Sequence, residues 1–192
     1  MNQKVLYLVH AAVIAALYVV LTQLAASLGL ASAAIQVRFS EALTILPVFT
    51  PAAIPGLFAG CVLANLLTGS VPLDVLFGSA ATLLGALGTW AISHPPGQCA
   101  SARYVRERPY QGTPVSAHCP WELRPWQKWL SPLPPIAANT LIVPFILAYV
   151  YQFEGSIPYF MLTVGLGEVI SCGVLGLLLL KVLERYRRYI FS

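Results

Sequence analysis

The sequence predicts an all-α integral membrane protein, a six-helix transmembrane bundle with a short or broken second helix and both termini in the cytoplasm. The first supporting observation is composition, since 58% of the 192 residues are hydrophobic and 9% are charged, whereas about one quarter of a soluble domain is charged. The second is patterning, because residues 5–37 and 42–73 contain no Asp, Glu, Lys or Arg. We therefore expect a single membrane domain over residues 1–192, a multi-pass protein in the lipid bilayer of a prokaryotic-type plasma membrane.

Apolar runs bounded by proline and turn signals define the six helices. The first run is long enough to cross the roughly 30 Å hydrocarbon layer. Pro51 and Pro55 separate the second run from the third, because proline removes a backbone donor and restricts its predecessor. The second run is too short to cross unaided, which is tolerated where it faces protein or a cavity. The predicted helices occupy residues 5–28, 42–50, 53–68, 74–93, 134–152 and 157–183.

The amino-terminal run has a second interpretation. Lys4, an apolar run and the small residues "ASAA" at 31–34 resemble a secretory signal with its cleavage site. The run exceeds a usual signal core and is long enough to span the membrane. We therefore expect it to be a retained helix.

The distribution of lysine and arginine predicts the orientation. With a cytoplasmic N-terminus, ten of the eleven basic residues fall in the cytoplasm, and Arg38 alone is outside. This is the positive-inside pattern of membrane proteins. Because the basic residues follow topology, the net charge of +4 does not indicate a nucleic-acid partner.

Residues 94–130 form an atypical cytoplasmic segment, rich in proline and tryptophan and without helical or strand periodicity. The simplest interpretation is a disordered loop. An alternative is that part of the segment is translated out of frame, since the composition changes abruptly after Ile92. A zinc site is disfavoured because the spacing matches no ordinary ligand pattern. Its ligands would be His94, Cys99, His118 and Cys119.

Charged side chains inside the membrane zone are the first candidates for function. A charge at the bilayer centre costs about 2.5–3.5 kcal/mol and should face a cavity or a partner. Arg38 and Glu41 are three residues apart, so on a helix they would share a face and could form an internal pair. Glu168 lies in the last helix, where it binds a ligand or is a structural glutamate, protonated or paired with Arg38. Asp74 begins the fourth helix, and we expect it to cap that helix.

Two amides complete the candidate substrate-binding site. Asn65 and Asn139 lie in apolar helices, where an unpaired amide is costly and is normally bonded. The resulting inventory suits a small, flat, polar and cationic solute. The side chains expected to line this cavity are Arg38, Glu41, Asn65, Asn139 and Glu168, with aromatic walls available from Phe39, Phe49, Phe77, Tyr149 and Tyr159.

Small residues recur at helix-packing intervals in the first and third helices. Ala11/Ala15 and Ala12/Ala16 form two small-xxx-small pairs, which let helix backbones approach closely in lipid. Their spacing alone does not distinguish packing inside the bundle from contact with a partner protein. In the third helix, we expect Gly56, Gly60 and Ala64 to pack inside the bundle.

The motifs that the chain lacks limit its chemistry. The sequence contains no G-x-x-x-x-G-K-[ST] loop, no H-E-x-x-H and no G-x-S-x-G. We expect no catalytic residues, no metal site and no cofactor in this chain. If ATP powers transport, another subunit must bind it. Cys61 and Cys172 lie in apolar segments, where a thiol is usually a small hydrophobe.

The stretch "QVRFSEALTILPVFTPAAIPGLFAGCVLANLLTGSVPLDVLFGSAATLLGALGTW" at 36–90 resembles the QueT family. The first helix and "GLGEVISCGVLGLLLLKVL" are similar to the same family, so that the resemblance covers roughly 1–92 and 133–190. Residues 94–130 depart from it, because the family joins these helices by a shorter basic connection. The most specific matches are Arg38-x-x-Glu41, Pro47, Gly60-Cys61, Asn65, Asp74 and Phe77-Gly78-Ser79.

The resemblance implies a substrate-binding S component of an energy-coupling factor (ECF) transporter for queuosine precursors. Such proteins have six helices, bind substrate from outside, and associate with a transmembrane coupling subunit and two ATPase subunits that use ATP. The implied ligand is a 7-deazaguanine base, such as queuine or its aminomethyl precursor. The family's partner-docking alanine motif would map to Ala11, Ala12, Ala15 and Ala16.

Carboxylate chemistry suggests how such a ligand would be held. One carboxylate accepts hydrogen bonds from the adjacent ring N–H and amino donors of a guanine-like edge, and a second pairs an ammonium. We assign Glu41 and Glu168 to these two roles without an order, and Arg38 either orients Glu41 or binds a ring carbonyl. The alternatives are an S component for another vitamin-like solute and a ligand-free membrane scaffold in which these three side chains pair to fix helix register.

Overall fold

The computed structural model describes residues 3–29, 37–95, 124–152 and 155–190, and every regular element in these ranges is helical. Seven α-helices and two segments of other helical winding are present in these ranges. The elements are α1 (Gln3–Ser27), a 3₁₀ segment (Phe39–Val48), α2 (Ala53–Leu67), α3 (Pro72–Ser93), α4 (Pro125–Leu130), α5 (Leu133–Tyr149), α6 (Ile157–Glu168), a π segment (Val169–Leu175) and α7 (Gly176–Ile190).

Six apolar helical stretches are present among the described residues, which confirms the predicted number. Four are long and apolar enough to cross a membrane, and the 3₁₀ segment and α2 are shorter. The predicted bounds agree within a few residues, except that the last helix continues past residue 183 to Ile190. The four long stretches are Lys4–Ser27, Pro72–Ser93, Pro125–Tyr149 and Ile157–Tyr186.

The second helix differs most from the prediction, because it begins at Phe39 and has 3₁₀ rather than α winding. Its ten residues rise about 2.0 Å each, so it covers about 20 Å where an α-helix would cover about 15 Å. Every residue from Ser40 to Val48 is buried, as expected of a helix that is surrounded by others. Arg38 precedes the segment in an extended conformation, so Arg38 and Glu41 do not share a helix face.

Helices α1 and α2 run parallel and in close contact on one side of the 3₁₀ segment. Gly56 lies against Ala11 and Gly60 against Ala15, so the contact advances in the same direction along both helices. A Cβ atom on Gly60 would lie only 2.8 Å from the Tyr18 Cβ. The glycines therefore pack inside the bundle, as expected, and their lack of a side chain sets the spacing of the two helices.

The predicted loop 94–130 is wrong at its carboxyl end, where Pro125–Leu130 form α4. Proline at the first helical position favours initiation, and the buried Gln127 side chain accepts from the Arg124 backbone N–H at 2.8 Å. Gln127 also donates to the Ile92 carbonyl at 3.0 Å, and Lys128 pairs with Glu184 at 2.8 Å. Most of the predicted segment, including Cys99, His118 and Cys119, lies outside the described residues.

Substitution of Gly60 tests the α1–α2 contact. Gly60→Ala places a methyl group against the Tyr18 Cβ and the Ala15 backbone, and we expect it to lower the free energy of unfolding by about 1–3 kcal/mol through overpacking. Thermal unfolding of the purified protein in detergent measures the loss. Gly173→Ala is the matched control, because its new Cβ would meet only the Val169 Cγ1 at 3.8 Å. Equal unfolding temperatures for the two variants would contradict the close contact.

Candidate binding site

A small cavity opens where the 3₁₀ segment, α3, α5 and α6 meet. It contains four of the five side chains that the sequence assigned to a substrate site. Those four come from three different elements and the residue preceding the 3₁₀ segment. The lining residues are Arg38, Glu41, Gly78, Thr82, Asn139, Val143, Val164 and Glu168.

Glu41 is the most deeply placed charged group of the cavity, with 1% of its surface exposed. Its carboxylate accepts a hydrogen bond at each oxygen. The Tyr18 hydroxyl donates to Oε1 from α1, and the Asn139 Nδ2 donates to Oε2 at 3.4 Å from α5. The 3₁₀ segment therefore presents a carboxylate that is bonded on both sides by neighbouring helices.

Asn139 joins the two carboxylates of the cavity. The same Nδ2 that donates to Glu41 also donates to the Glu168 Oε1 at 3.0 Å, so both amide hydrogens are used. Glu168 is the last residue of α6, about 17 Å along the helix axis from Ile157. Its second oxygen, Oε2, accepts from the Cys172 thiol at 3.2 Å. Immediately after Glu168, at Val169, the winding changes from α to π. Such π turns are frequent at functional sites.

Arg38 contributes a largely buried side chain to the cavity lining. In the described part of the chain, no ion pair joins it to Glu41 or to Glu168, and those carboxylates take their hydrogen bonds from Tyr18, Asn139 and Cys172. The internal pairs considered from the sequence are therefore not formed. The positive charge is left facing the same space as the two carboxylates.

Charge and size together limit what the cavity can hold. The lining carries two carboxyl groups and one guanidinium, and a cationic guest would favour the ionised form of both carboxyl groups. The space open to the centre of a water molecule is about 10 Å³, which corresponds to roughly one water. A larger guest requires the lining side chains to separate.

Asn65 is not part of the cavity lining. Its Nδ2 contacts the Cys61 Sγ at 3.6 Å, and a Cβ on Gly78 would approach that Nδ2 to 3.2 Å. Asn65 thus lies behind Gly78, one layer away from the lining. The aromatic walls expected at Phe77, Tyr149 and Tyr159 are also absent from the cavity, because these rings are about half exposed or more on the outside of the bundle.

Asp74 makes a contact that the sequence did not predict. It lies in the first turn of α3, but its side chain forms no cap, and its Oδ2 accepts a hydrogen bond from the Tyr151 hydroxyl at 2.9 Å. Burial and this carboxylate raise the pKa of the Tyr151 phenol. The contact ties the start of α3 to the segment that follows α5.

Three residues that support the cavity were missed from the sequence. Tyr18 and Cys172 bond the carboxylates, and Thr82 belongs to the lining while its hydroxyl contacts the Cys61 Sγ at 3.4 Å. A tyrosine or a thiol in an apolar helix gives no signal that distinguishes it from core. The one available signal was spacing, since Cys172 follows Glu168 by four residues and so lies on the same helix face.

The donor atoms of Glu41, Glu168 and Cys172 lie within 4.8 Å of one another, close enough to meet at one cation. Cys172 could bind a metal only as the deprotonated thiolate. The Cys172 thiol instead donates its proton to Glu168. The hydrogen bonds therefore account for this cluster, and the expectation of no metal remains a prediction.

The four alanines of α1 divide into two pairs. Ala11 and Ala15 are buried against Gly56 and Gly60, whereas Ala12 and Ala16 are exposed on the outside of the bundle. The first pair is thus occupied by α2. Only the second pair is accessible to a separate protein.

Comparison with known proteins gives one finding for this chain. A family model described as QueT transporter matches residues 8–185, nearly the whole chain. No curated protein and no solved structure is significantly similar to it.

Replacement of Asn139 tests the bridge between the carboxylates. Asn139→Leu leaves one oxygen of Glu41 and one of Glu168 without a donor, and we expect it to lower the free energy of unfolding by about 3 kcal/mol. Thr140→Val is the control, because the Thr140 hydroxyl is buried without a partner and its loss should cost nothing. Chemical denaturation in detergent measures both, and an unchanged Asn139→Leu protein would show that the bridge contributes nothing.

Proposed function

Because the chain belongs to the QueT transporter family, we propose that it is the substrate-binding S component of an ECF-type importer for a queuosine precursor. In this proposal the protein captures a 7-deazaguanine base, such as queuine or its aminomethyl precursor, from outside the cell. Partner subunits then drive its release to the cytoplasm. Family membership supports transport in a membrane rather than catalysis.

One observation carries the proposal: two buried carboxylates, Glu41 and Glu168, both accept a hydrogen bond from the Asn139 amide. The ring N–H and amino groups of a guanine-like edge present adjacent donors, which one carboxylate accepts together. The second carboxylate pairs an exocyclic ammonium. Arg38 is available for the ring carbonyl.

Binding of a base requires an exchange of hydrogen bonds. The Asn139 amide occupies one oxygen of each carboxylate, and the ligand's donors would replace it at one of them. Such an exchange costs little when every buried acceptor is bonded before and after. The 3.4 Å contact from Asn139 to Glu41 is the longer of the two, so we expect it to break first.

The partners proposed for this chain are an ECF transmembrane coupling subunit and two ATPase subunits that bind ATP. Ala12 and Ala16 are the docking residues that remain exposed on α1, and their small side chains allow close approach of another helix. We further propose that both termini are cytoplasmic. Lys128 pairs with Glu184, so the basic residues near α4 and near the end of α7 lie at the same end of the bundle, which fits this orientation.

A ligand-free membrane scaffold is the second candidate, and the small size of the cavity favours it. In that case the Tyr18–Glu41–Asn139–Glu168–Cys172 hydrogen bonds serve only to fix helix register. An S component for another vitamin-like solute is the remaining alternative within transport. Ligand binding separates all three.

Calorimetric titration with queuine and with its aminomethyl precursor tests capture. We expect wild-type binding, and a loss of about 10- to 100-fold in affinity for Glu41→Gln and for Glu168→Gln, since each removes a charge-assisted hydrogen bond worth about 1.5–3 kcal/mol. Glu184→Gln is the matched control, because Glu184 pairs with Lys128 outside the cavity.

Two results would change the assignment. Failure of the folded wild-type protein to bind either base, with tight binding of another vitamin-like solute, would favour the alternative transporter. Failure with every solute would favour the scaffold. Full affinity in both cavity variants would remove Glu41 and Glu168 from the site.

Substitutions on α1 test docking. Ala16→Leu or Ala12→Leu adds bulk on the exposed side of α1, and we expect it to reduce uptake by reconstituted complexes about tenfold while ligand affinity stays at the wild-type value. Val13→Leu is the control, since Val13 is an exposed α1 residue outside the alanine pairs. Normal uptake by both alanine variants would place the partner contact elsewhere.

A further inference from the structure

Helix α1 reaches the candidate site without lining it. Tyr18 is 1% exposed, and its hydroxyl donates to the Glu41 Oε1 from the side away from Asn139. Tyr18 is not among the side chains around the cavity. A guest in the cavity would therefore meet Glu41 and not the tyrosine behind it.

A second bond joins the same two elements one helical turn further along. The Thr22 hydroxyl contacts the Ser40 hydroxyl at 2.9 Å, and Ser40 immediately precedes Glu41. Tyr18 and Thr22 are four residues apart, so they share one face of α1. The side chains of Glu41 and of the residue before it are thus both bonded by α1.

The tyrosine is itself fixed in place. Its Cβ packs against Gly60 so closely that a methyl group there would lie 2.8 Å away. The ring is enclosed in the core with Ile14, Leu57 and Cys61. A hydroxyl on a rigid, enclosed ring can define the rotation of the carboxylate it bonds.

We propose that Tyr18 is a positioning residue, which anchors one oxygen of Glu41 so that the other faces the cavity, and that the Thr22–Ser40 side-chain bond holds the preceding residue for the same purpose. A carboxylate bonded at one oxygen keeps its second oxygen in a fixed direction. Without the anchor, the carboxylate rotates and a ligand must order it on binding, which lowers affinity. The effect on affinity rests on the proposed function, whereas the anchoring of Glu41 does not.

A double-mutant cycle separates positioning from general stabilisation. We expect Tyr18→Phe to weaken binding of the aminomethyl base about tenfold in the wild-type background and not at all when Glu41 is already Leu. The control is Tyr7→Phe, which removes another α1 hydroxyl, bonded to the Pro51 carbonyl at 3.3 Å. Additive losses from Tyr18→Phe and Glu41→Leu would overturn the proposal, because they would show that Tyr18 acts independently of Glu41.

Infrared spectroscopy of the purified protein tests the anchor without a ligand. The difference between wild type and Glu41→Leu identifies the carboxyl band of Glu41, and we expect Tyr18→Phe to shift that band while Tyr7→Phe leaves it in place. If Tyr18→Phe does not fold, Thr22→Val serves in its stead and should shift the band less in the same direction. An unshifted band in the folded variants would overturn the proposal, whether or not the wild-type protein binds a base.

Discussion

The 3₁₀ segment depends on one constraint. The carboxylate of Glu41 must find hydrogen-bond donors inside a helix whose residues Ser40–Val48 are all buried. Glu41 lies near the start of that stretch. An isolated buried carboxylate is very costly. The bundle meets this cost with hydrogen bonds from α1 and α5, and the second carboxylate then shares the α5 donor. The positions of Tyr18 on α1 and Asn139 on α5 therefore provide the donors that this buried group needs.

The winding of the segment also follows from its position. A 3₁₀ helix is thinner than an α-helix and longer per residue, so these ten residues span a length that would need more residues in α form. Gly56 and Gly60 bring α2 directly against α1 beside this segment. Two glycines thus lie where α1 and α2 touch, and the charged Glu41 lies inside the bundle, away from lipid.

The sequence was sufficient to predict the membrane class and the six apolar helices, and four of the five site residues it predicted lie in the cavity lining, because hydropathy and the cost of buried charge are local signals. Other features depend on tertiary contacts. Asn65 could not be separated from Asn139, since both are amides in apolar helices and only packing places one behind Gly78. The prediction of aromatic cavity walls was wrong for a similar reason. An apolar residue in a membrane protein is equally suited to lipid and to a cavity. The α4 helix was missed because six residues are too few to show a period.

Under the proposed function, the hydrogen bonds of the cavity also show how a site with bonded carboxylates can accept a guest. Each carboxylate accepts one hydrogen bond from a residue outside the cavity lining, Tyr18 for Glu41 and Cys172 for Glu168. Both also accept from Asn139, which belongs to the lining. Loss of the Asn139 contact to one carboxylate therefore leaves that group half bonded rather than isolated. The free oxygen then faces the cavity, where a donor from a ligand restores the count. Under the proposed function, this arrangement favours guests that bring hydrogen-bond donors.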